Sequence, residues 1–144
     1  MRPRLIIVDD EPAIRDTLAR LLPFHVKDLN PVVIQLSTAE ELVDWLVEDH
    51  DNTVVVTDNN TRSRMTGLEA LCTLRARGIH TPIVVFSGDT FAPAQHKILT
   101  DCGAEHVRKS SSRDTERLAA FIRTAVASMR PRACDAAEDT RVSL

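Results

Sequence analysis

The sequence has 144 residues, and its apolar content of 43% is sufficient for one globular domain with a hydrophobic core. Its 18 basic and 21 acidic side chains give a formal net charge of −3, which argues against binding to nucleic acid or to an anionic membrane. No apolar run approaches the roughly 20 residues of a membrane-spanning helix, and the N-terminus lacks the apolar stretch of a secretory signal.

Short apolar runs alternate along the chain with segments of helical periodicity. Each run has the length and composition of a β-strand buried on both faces, as in a parallel sheet. The predicted strands span residues 5–8, 32–36, 53–57, 82–86 and 106–108.

Five further segments place apolar residues on one helical face. The second opens with a capping box, in which Ser37 or Thr38 is followed three residues later by Glu40 or Glu41. The third stops at Gly78, a residue suited to a left-handed C-terminal cap. The residues predicted to face the core are Ile14, Leu18, Leu21, Leu22, Leu42, Trp45, Leu46, Leu68, Leu71, Leu74, Leu118, Phe121, Ile122 and Ala125.

The strand–helix unit is therefore repeated five times. Parallel strands need crossover helices, and right-handed crossovers place those helices on both faces of one sheet. The pattern predicts a doubly wound α/β domain of three layers around a five-stranded parallel sheet. In such folds a ligand binds outside the carboxyl ends of the strands, so the residues at which the strands end are the candidate site.

Polar side chains stand at the ends of four predicted strands. Asp9 and Asp10 follow the first strand, and Asp58 follows the third. Ser87 ends the fourth strand, and Lys109 follows the fifth. Crowded carboxylates repel one another unless a cation lies among them, and oxygen ligands suit Mg²⁺. The set predicts a magnesium site. The alternative, that strand-end acids only solvate loops, explains one such residue but not all of them.

The three cysteines, Cys72, Cys102 and Cys134, form no Cys-x-x-Cys pair and are odd in number. This usage is typical of reduced thiols in a reducing compartment. We therefore expect a cytoplasmic protein.

Four motifs have the order and spacing found in receiver domains of two-component response regulators. They are "LIIVDDEPAIR", the lone Asp58 after "VVVT", "TPIVVFSG" and "GAEHVRK". The sequence resembles that family over about residues 3–127, which implies the flavodoxin-like fold of CheY-like receivers. We expect a receiver domain over residues 1–127 and a polar, disordered tail over 128–144, too short to be an output domain. The resemblance is therefore to a stand-alone receiver.

The resemblance implies a chemical role for each strand-end residue. Asp58 is the expected phosphoacceptor, taking a phosphoryl group from the phosphohistidine of a sensor histidine kinase or a histidine phosphotransfer protein. Asp10, Asp58 and the backbone carbonyl of Asn60 are the expected Mg²⁺ ligands, with Asp9 acting mainly through water. Lys109 is expected to neutralise phosphoryl oxygens. Such a domain is not an enzyme in the ordinary sense, since it catalyses only its own phosphorylation and dephosphorylation.

The resemblance also implies a conformational switch. Ser87 occupies the position of the switch hydroxyl, although a strand-end serine can simply bond its own backbone. His106 occupies the position of a switch aromatic residue, and an exposed histidine without a function explains it equally well. The expected output is a changed surface, read by another protein or by a homodimer through the fourth helix, fifth strand and fifth helix.

The loop after Asp58 departs from the family pattern. Receivers usually have Pro four residues and Gly eight residues after the acceptor, where this chain has Arg62 and Thr66, with Gly67 at nine. One inserted residue explains the offset. Without an insertion the acceptor position would fall on Asn59, which cannot be phosphorylated. We prefer Asp58, because a loop absorbs an extra residue more easily than a buried strand does.

Two other departures affect charge and geometry. Arg62 and Arg64 make this loop cationic, and they either guide a phosphodonor, pair with the acids or, as we prefer, are only solvated. Ser110 stands where a proline with a cis bond commonly follows the lysine. A cis bond before a non-proline residue is costly, so we expect a trans peptide between Lys109 and Ser110.

Two other classes of function compete with the phosphoacceptor. One is a degenerate, non-phosphorylated receiver that acts as a protein-binding module. The other is a hydrolase of the haloacid dehalogenase type, which has a second Asp two residues after the first. Asn60 stands at that position and argues against the hydrolase.

Overall fold

Strands and helices alternate through the part of the chain that the computed structural model describes, residues 2–109 and 113–129. The strands are β1 (Arg4–Val8), β2 (Val32–Leu36), β3 (Thr53–Thr57), β4 (Ile83–Ser87) and β5 (Glu105–Arg108). The helices are α1 (Pro12–His25), α2 (Ala39–Glu48), α3 (Gly67–Ala76), α4 (Pro93–Asp101) and α5 (Asp114–Met129), with a short 3-10 helix at Lys27–Leu29.

All five strands pair in parallel, in the order β2-β1-β3-β4-β5. Side chains of α1 and α5 pack on one face of the sheet, and those of α2, α3 and α4 pack on the other. This arrangement confirms the predicted doubly wound (βα)5 sandwich. The strand order reverses at β1 and β3, so the carboxyl ends of these two strands are neighbours at the switch point of the sheet.

The core consists of two apolar clusters separated by the sheet. In β1, Ile6 and Val8 belong to the cluster under α2, α3 and α4, whereas Leu5 and Ile7 belong to the cluster under α1 and α5. Successive side chains of a strand point to opposite faces, so a continuous apolar run is what a centrally placed strand requires. This explains why the three interior positions of β1, β3 and β4 are all apolar.

Burial on both faces was the wrong prediction for the two outer strands. β2 and β5 lie at the edges of the sheet, and only one residue of these strands, Val107, is buried. Two predicted core residues are also exposed at the margin, Leu21 at 36% and Trp45 at 39%. The buried stripe of α2 runs through Ala39, Leu42, Val43 and Leu46, which leaves the tryptophan beside the stripe.

The predicted helix ends agree with the structure in two places. The side chain of Thr38 accepts a hydrogen bond from the backbone of Glu41, whose carboxylate accepts one in return from the backbone of Thr38, so the capping box is present. Gly78 follows α3 with a φ of +77°, the left-handed conformation that favours glycine. β4 begins and ends one residue later than predicted.

Other predictions concern the whole chain. Cys72 and Cys102 are free thiols, whereas Cys134 lies outside the described residues. α5 continues to Met129, two residues beyond the expected domain boundary, and residues 130–144 lie outside the described part, so the domain division stays a prediction. Within the described ranges, no helix is long and apolar enough to cross a membrane.

Candidate functional site

Three carboxylates meet where β1 and β3 end side by side. The backbone N–H of Asp58 donates to the carbonyl of Val8 at 2.8 Å, which continues the strand pairing by one residue and fixes Asp58 beside β1. One carboxylate oxygen from each of Asp9, Asp10 and Asp58 lies within 4.8 Å of the others. The predicted convergence of acids from two separate strands is therefore present.

Lys109 reaches this acidic cluster from the end of β5. Its Nζ lies 3.1 Å from Oδ2 of Asp9 and 3.6 Å from Oδ1 of Asp58. Asp9 is only 1% exposed, and its other oxygen accepts a hydrogen bond of 2.9 Å from the backbone of Glu11. The lysine thus supplies a positive charge to a carboxylate that water cannot reach.

The pKa of the Asp58 carboxyl is raised, chiefly because burial disfavours its charged form. The positive charge of Lys109 opposes this effect, and the negative charge of Asp9 adds to it. The backbone N–H groups of Asn59 and Asn60 also lower the pKa, the former through a hydrogen bond of 2.8 Å to Oδ1. Burial and the neighbouring acid thus outweigh the support that Lys109 and the two N–H groups give to the charged form of Asp58.

The donor set fits a hard divalent cation such as Mg²⁺. The cluster offers carboxylate oxygens from three residues, and Oδ2 of Asp10 is buried without a hydrogen-bond partner. Arg62 Nε lies 2.9 Å from this oxygen, but its N–H is not directed at it, so the contact is an ion pair without a hydrogen bond. Asn60, the expected carbonyl ligand, is exposed in the same loop.

Asn59, the alternative acceptor position, is directed away from the acidic cluster. Its Oδ1 accepts a hydrogen bond of 3.1 Å from the backbone of Leu68, and its Nδ2 donates to Asp89 at 3.3 Å. Gly67 packs against the peptide between Asp58 and Asn59. A Cβ added to this glycine would lie 2.6 Å from the carbonyl oxygen of Asp58. The register of β3 thus brings Asp58, and not Asn59, into the cluster.

Ser87 and His106 occupy neighbouring strands, β4 and β5. The hydroxyl of Ser87 is buried and accepts a hydrogen bond of 3.0 Å from the backbone of Asp89. This is the local backbone bond that we gave as the alternative to a switch role. His106 is half-buried and stacks on Phe91, with ring centroids 4.3 Å apart and an interplanar angle of 26°. It is therefore not simply an exposed histidine.

The environment of His106 is unfavourable for a positive charge. Burial is the main cause that lowers the pKa of this imidazole, and the Ser87 carbonyl partly opposes the shift. Its Nε2 is buried without a hydrogen-bond partner. Phe91, on which the ring packs, was missed by the sequence reading, although a phenylalanine in the polar stretch "GDTFAP" is a signal of local burial.

The preference for solvated arginines was wrong for Arg62, whose guanidinium contacts the acidic cluster. It is correct that the side chain is mostly exposed, at 78%, but one edge lies against Asp10. Sequence reasoning could not find this contact, because it depends on the path of the loop between Asp58 and Gly67. The trans peptide expected between Lys109 and Ser110 involves a residue outside the described ranges.

Comparisons with known proteins agree with this architecture. The family model described as response regulator receiver domain matches residues 5–123. FixJ-N is 26% identical, with a TM-score of 0.69 over 88% of this chain and 95% of that one. A receiver domain protein from Clostridium thermocellum is 21% identical, with a TM-score of 0.72 over 89% and 97%.

A third solved structure is the signal receiver domain of an HD domain-containing protein from Pseudomonas fluorescens. It is 17% identical, with a TM-score of 0.73 over 91% of this chain and 99% of that one. No curated protein sequence matches the chain.

Proposed function

The chain belongs to the response regulator receiver domain family, and on that basis we propose that Asp58 is its phosphoacceptor. The phosphoryl donor is the phosphohistidine of a sensor histidine kinase or of a histidine phosphotransfer protein. A carboxylate oxygen of Asp58 attacks phosphorus, the P–N bond to the donor histidine breaks, and its electron pair stays on the imidazole nitrogen. The product is an acyl phosphate on Asp58.

The observation that carries this proposal is the convergence of three carboxylates and one ammonium group around Asp58. Phosphoryl transfer needs little from a protein beyond positioning and neutralisation of charge. Lys109 Nζ, 3.6 Å from Asp58 Oδ1, is within reach of an oxygen of a phosphoryl group attached to that carboxylate. When bound, Mg²⁺ supplies further neutralisation of the phosphoryl oxygens, with Asp10, Asp58 and the Asn60 carbonyl as ligands and Asp9 acting through water.

The response to phosphorylation uses Ser87 and His106. The Ser87 hydroxyl exchanges its bond to the backbone of Asp89 for one to a phosphoryl oxygen, and the His106 ring changes its packing on Phe91. The new surface, formed by α4, β5 and α5, binds a downstream protein or a second copy of the chain. The phosphoryl group biases a two-state equilibrium that already exists in the free protein.

A second candidate function is a protein-binding module that is not phosphorylated. The loop between Asp58 and Gly67 favours it, because this loop carries an extra residue and an arginine on one of the expected metal ligands. In this alternative the acidic cluster has no role in phosphoryl transfer, and the surface of the folded domain binds the partner protein.

The deciding experiment is incubation with acetyl phosphate and Mg²⁺, followed by intact mass spectrometry and peptide mapping. The proposal predicts one phosphoryl adduct, located on Asp58 and absent from Asp58→Ala. No adduct at any Mg²⁺ concentration favours the unphosphorylated module. Continuous release of inorganic phosphate at enzymatic rates favours a hydrolase and contradicts the proposal.

The donor class is tested separately with a phosphorylated histidine phosphotransfer protein. Transfer of its radiolabelled phosphoryl group to the wild-type chain, but not to Asp58→Ala, is the expected result. Reverse transfer distinguishes a phosphate relay from a receiver that only stores or discards the phosphoryl group.

A further inference from the structure

Arg62 places a positive charge on a carboxylate that the proposed function needs for a metal ion. Its Nε lies 2.9 Å from Oδ2 of Asp10, and the aspartate side chain is 14% exposed. The distance is that of an ion pair, yet the oxygen receives no hydrogen bond. The arginine therefore offsets the charge of this buried oxygen without donating a hydrogen bond to it.

The loop that carries Arg62 is held in place by its neighbours. The buried hydroxyl of Thr61 accepts a hydrogen bond of 3.2 Å from the backbone of Ala39, at the first residue of α2. Thr61 also lies 2.9 Å from Ser63 through their hydroxyl oxygens, and the backbone of Arg62 donates to Oδ1 of Asn60 at 3.2 Å. These bonds on both sides direct the Arg62 side chain toward Asp10.

The backbone of Arg62 has a φ of +55°, a left-handed conformation that is unfavourable for a residue with a Cβ. Surrounding contacts must maintain such a conformation, because an isolated arginine would leave it. The hydrogen bonds of Thr61 supply part of that support. A glycine would meet the backbone requirement more easily, so the conformation alone does not explain why an arginine is present.

We propose that Arg62 is a built-in counter-ion of the acidic cluster, which competes with a divalent cation for the Asp10 carboxylate. This inference rests on the proposed function, since it assumes that the cluster binds such a cation. A bound ion must displace the guanidinium from Oδ2 of Asp10 or share that oxygen with it. Arg62 thereby weakens metal binding and raises the metal concentration at which the site becomes competent for phosphorylation.

The positions of Arg62 and Lys109 allow a metal ion to replace the arginine at Asp10 reversibly. Arg62 is exposed at 78%, so its guanidinium can move into water when the ion enters. Lys109 cannot leave as easily, because its partner Asp9 is almost fully buried. Of these two cations, Lys109 is therefore fixed and Arg62 is displaceable. Only the displaceable one lies on a carboxylate oxygen that lacks a hydrogen bond.

The test is direct titration of the unphosphorylated protein with Mn²⁺, in which free Mn²⁺ is measured by electron paramagnetic resonance. Mg²⁺ is then added as a competitor to obtain its own dissociation constant. The variants are R62Q, which removes the charge but keeps a polar side chain, and R62K, which keeps the charge. R64Q is the matched control, because it removes the same charge from the same loop, two residues away.

R62Q is expected to bind Mn²⁺ about two- to fivefold more tightly than the wild type, the range that corresponds to a partly exposed ion pair. R64Q is expected to differ from the wild type by less than about 1.5-fold, since exposed charges act weakly through water. R62K is expected to lie between wild type and R62Q. R62G is a second charge-removing variant, in which the left-handed backbone is no longer strained.

Equal affinities of wild type, R62Q and R62G overturn the inference, as does the same gain in R64Q and R62Q. Weaker binding in R62Q also overturns it, because Arg62 then supports the metal site. If none of the proteins binds Mn²⁺, the inference fails together with the proposed metal site. If the affinities are equal but Asp58 still forms an adduct, the inference alone fails and the proposed function stands.

Discussion

Lys109 Nζ and Asp9 Oδ2 form a 3.1 Å ion pair that joins the end of β5 to the end of β1. Two strands, β3 and β4, separate these residues in the sheet, so the lysine side chain spans the carboxyl edge above them. Asp9 is 1% exposed, and a buried carboxylate is tolerated only where a charge or hydrogen bonds compensate it. The pair therefore contributes to the stability of the resting protein as well as to the proposed chemistry.

We predict that Lys109→Met lowers the free energy of unfolding by about 1–3 kcal/mol in the absence of divalent cations, because it leaves the Asp9 carboxylate buried without its cation. Urea unfolding in EDTA measures the change. Lys97→Met is the control, since Lys97 pairs with Asp101 on the surface and its loss is expected to change stability by less than about 0.5 kcal/mol. Equal effects of the two substitutions would contradict the structural role given to the Asp9 pair.

A second prediction concerns the charge of Asp58. Because burial raises the pKa of its carboxyl in the folded protein, the folded state disfavours the charged form, and stability is lost as pH rises through the raised pKa. Asp58→Asn should therefore unfold at a higher urea concentration than the wild type at pH 7 in EDTA. The difference should disappear below about pH 3.8, the ordinary pKa of the group, where both side chains are neutral.

Asp49→Asn is the control for the Asp58→Asn experiment, because it is expected to change stability at pH 7 in the opposite direction. The hydrogen bond from Arg4 is the main cause that lowers the pKa of Asp49 to about 2, so its charged form favours folding. This contribution is present above the ordinary pKa of 3.8 and is lost as pH falls toward 2. Asp49→Asn should thus destabilise the protein at pH 7, whereas Asp58→Asn should stabilise it. The same sign for both substitutions would contradict the environment described for Asp58.

How far the sequence predicted the molecule depends on how local each signal is. The run that ends at Asp9 and Asp10 predicted a strand buried on both faces and the acids at its end, because a strand covered on both faces is apolar at successive positions. The exposed edges were not predictable in this way, since the order of strands depends on contacts between distant segments. Trp45 shows the same limit within one helix, where the helix's rotation on the sheet decides which side chains are covered.

The residues of the candidate site also differ in how far the sequence could predict their positions. Strand-end residues such as Asp58 and Lys109 could be placed together from the rule that parallel strands end at one edge of the sheet. The contact between Arg62 and Asp10 could not, because it depends on a left-handed residue in a loop without regular structure. The stack of His106 on Phe91 was likewise invisible, since the phenylalanine lies in a polar segment outside any helix or strand.

A third prediction concerns His106. Burial lowers the pKa of its imidazole in the folded protein, so the unfolded chain binds a proton more readily, and stability falls as pH drops from about 6.5 through the lowered pKa. His106→Phe keeps a ring on Phe91 but removes the titrating group and the unpaired Nε2. We expect it to stabilise the protein by about 1 kcal/mol at pH 7, and by more at pH 5.

Urea unfolding between pH 5 and 8 measures this effect. His96, whose ring lies 6.2 Å from that of His106, and the nearby charges of Asp89 and Arg108 also affect the imidazole, so they are left unchanged. His80→Gln, at an exposed position, controls for the loss of a histidine elsewhere. A wild-type protein whose stability does not vary between pH 5 and 8 would contradict the buried, uncharged state of His106.

The fourth prediction tests how Gly67 sets the position of the acceptor loop. A Cβ at this residue would lie 2.6 Å from the carbonyl oxygen of Asp58 and 3.1 Å from Cα of Asn59. Both neighbours are backbone atoms, so they cannot yield as a flexible side chain does. Gly67→Ala must therefore push α3 away from the end of β3, or shift the Asp58–Asn59 peptide, which directly follows the Asp58 N–H that donates to Val8.

We expect Gly67→Ala to lower the free energy of unfolding by about 1–3 kcal/mol, the usual cost of overpacking, and to weaken Mn²⁺ binding because the Asp58 carboxylate moves. Gly88→Ala is the matched control, since a Cβ there meets no atom within 4 Å and should leave stability nearly unchanged. Urea unfolding compares the two variants in EDTA, where bound metal cannot hide the difference. If Gly67→Ala is as stable as Gly88→Ala, the loop between Asp58 and Gly67 is free to move and cannot hold Arg62 against Asp10.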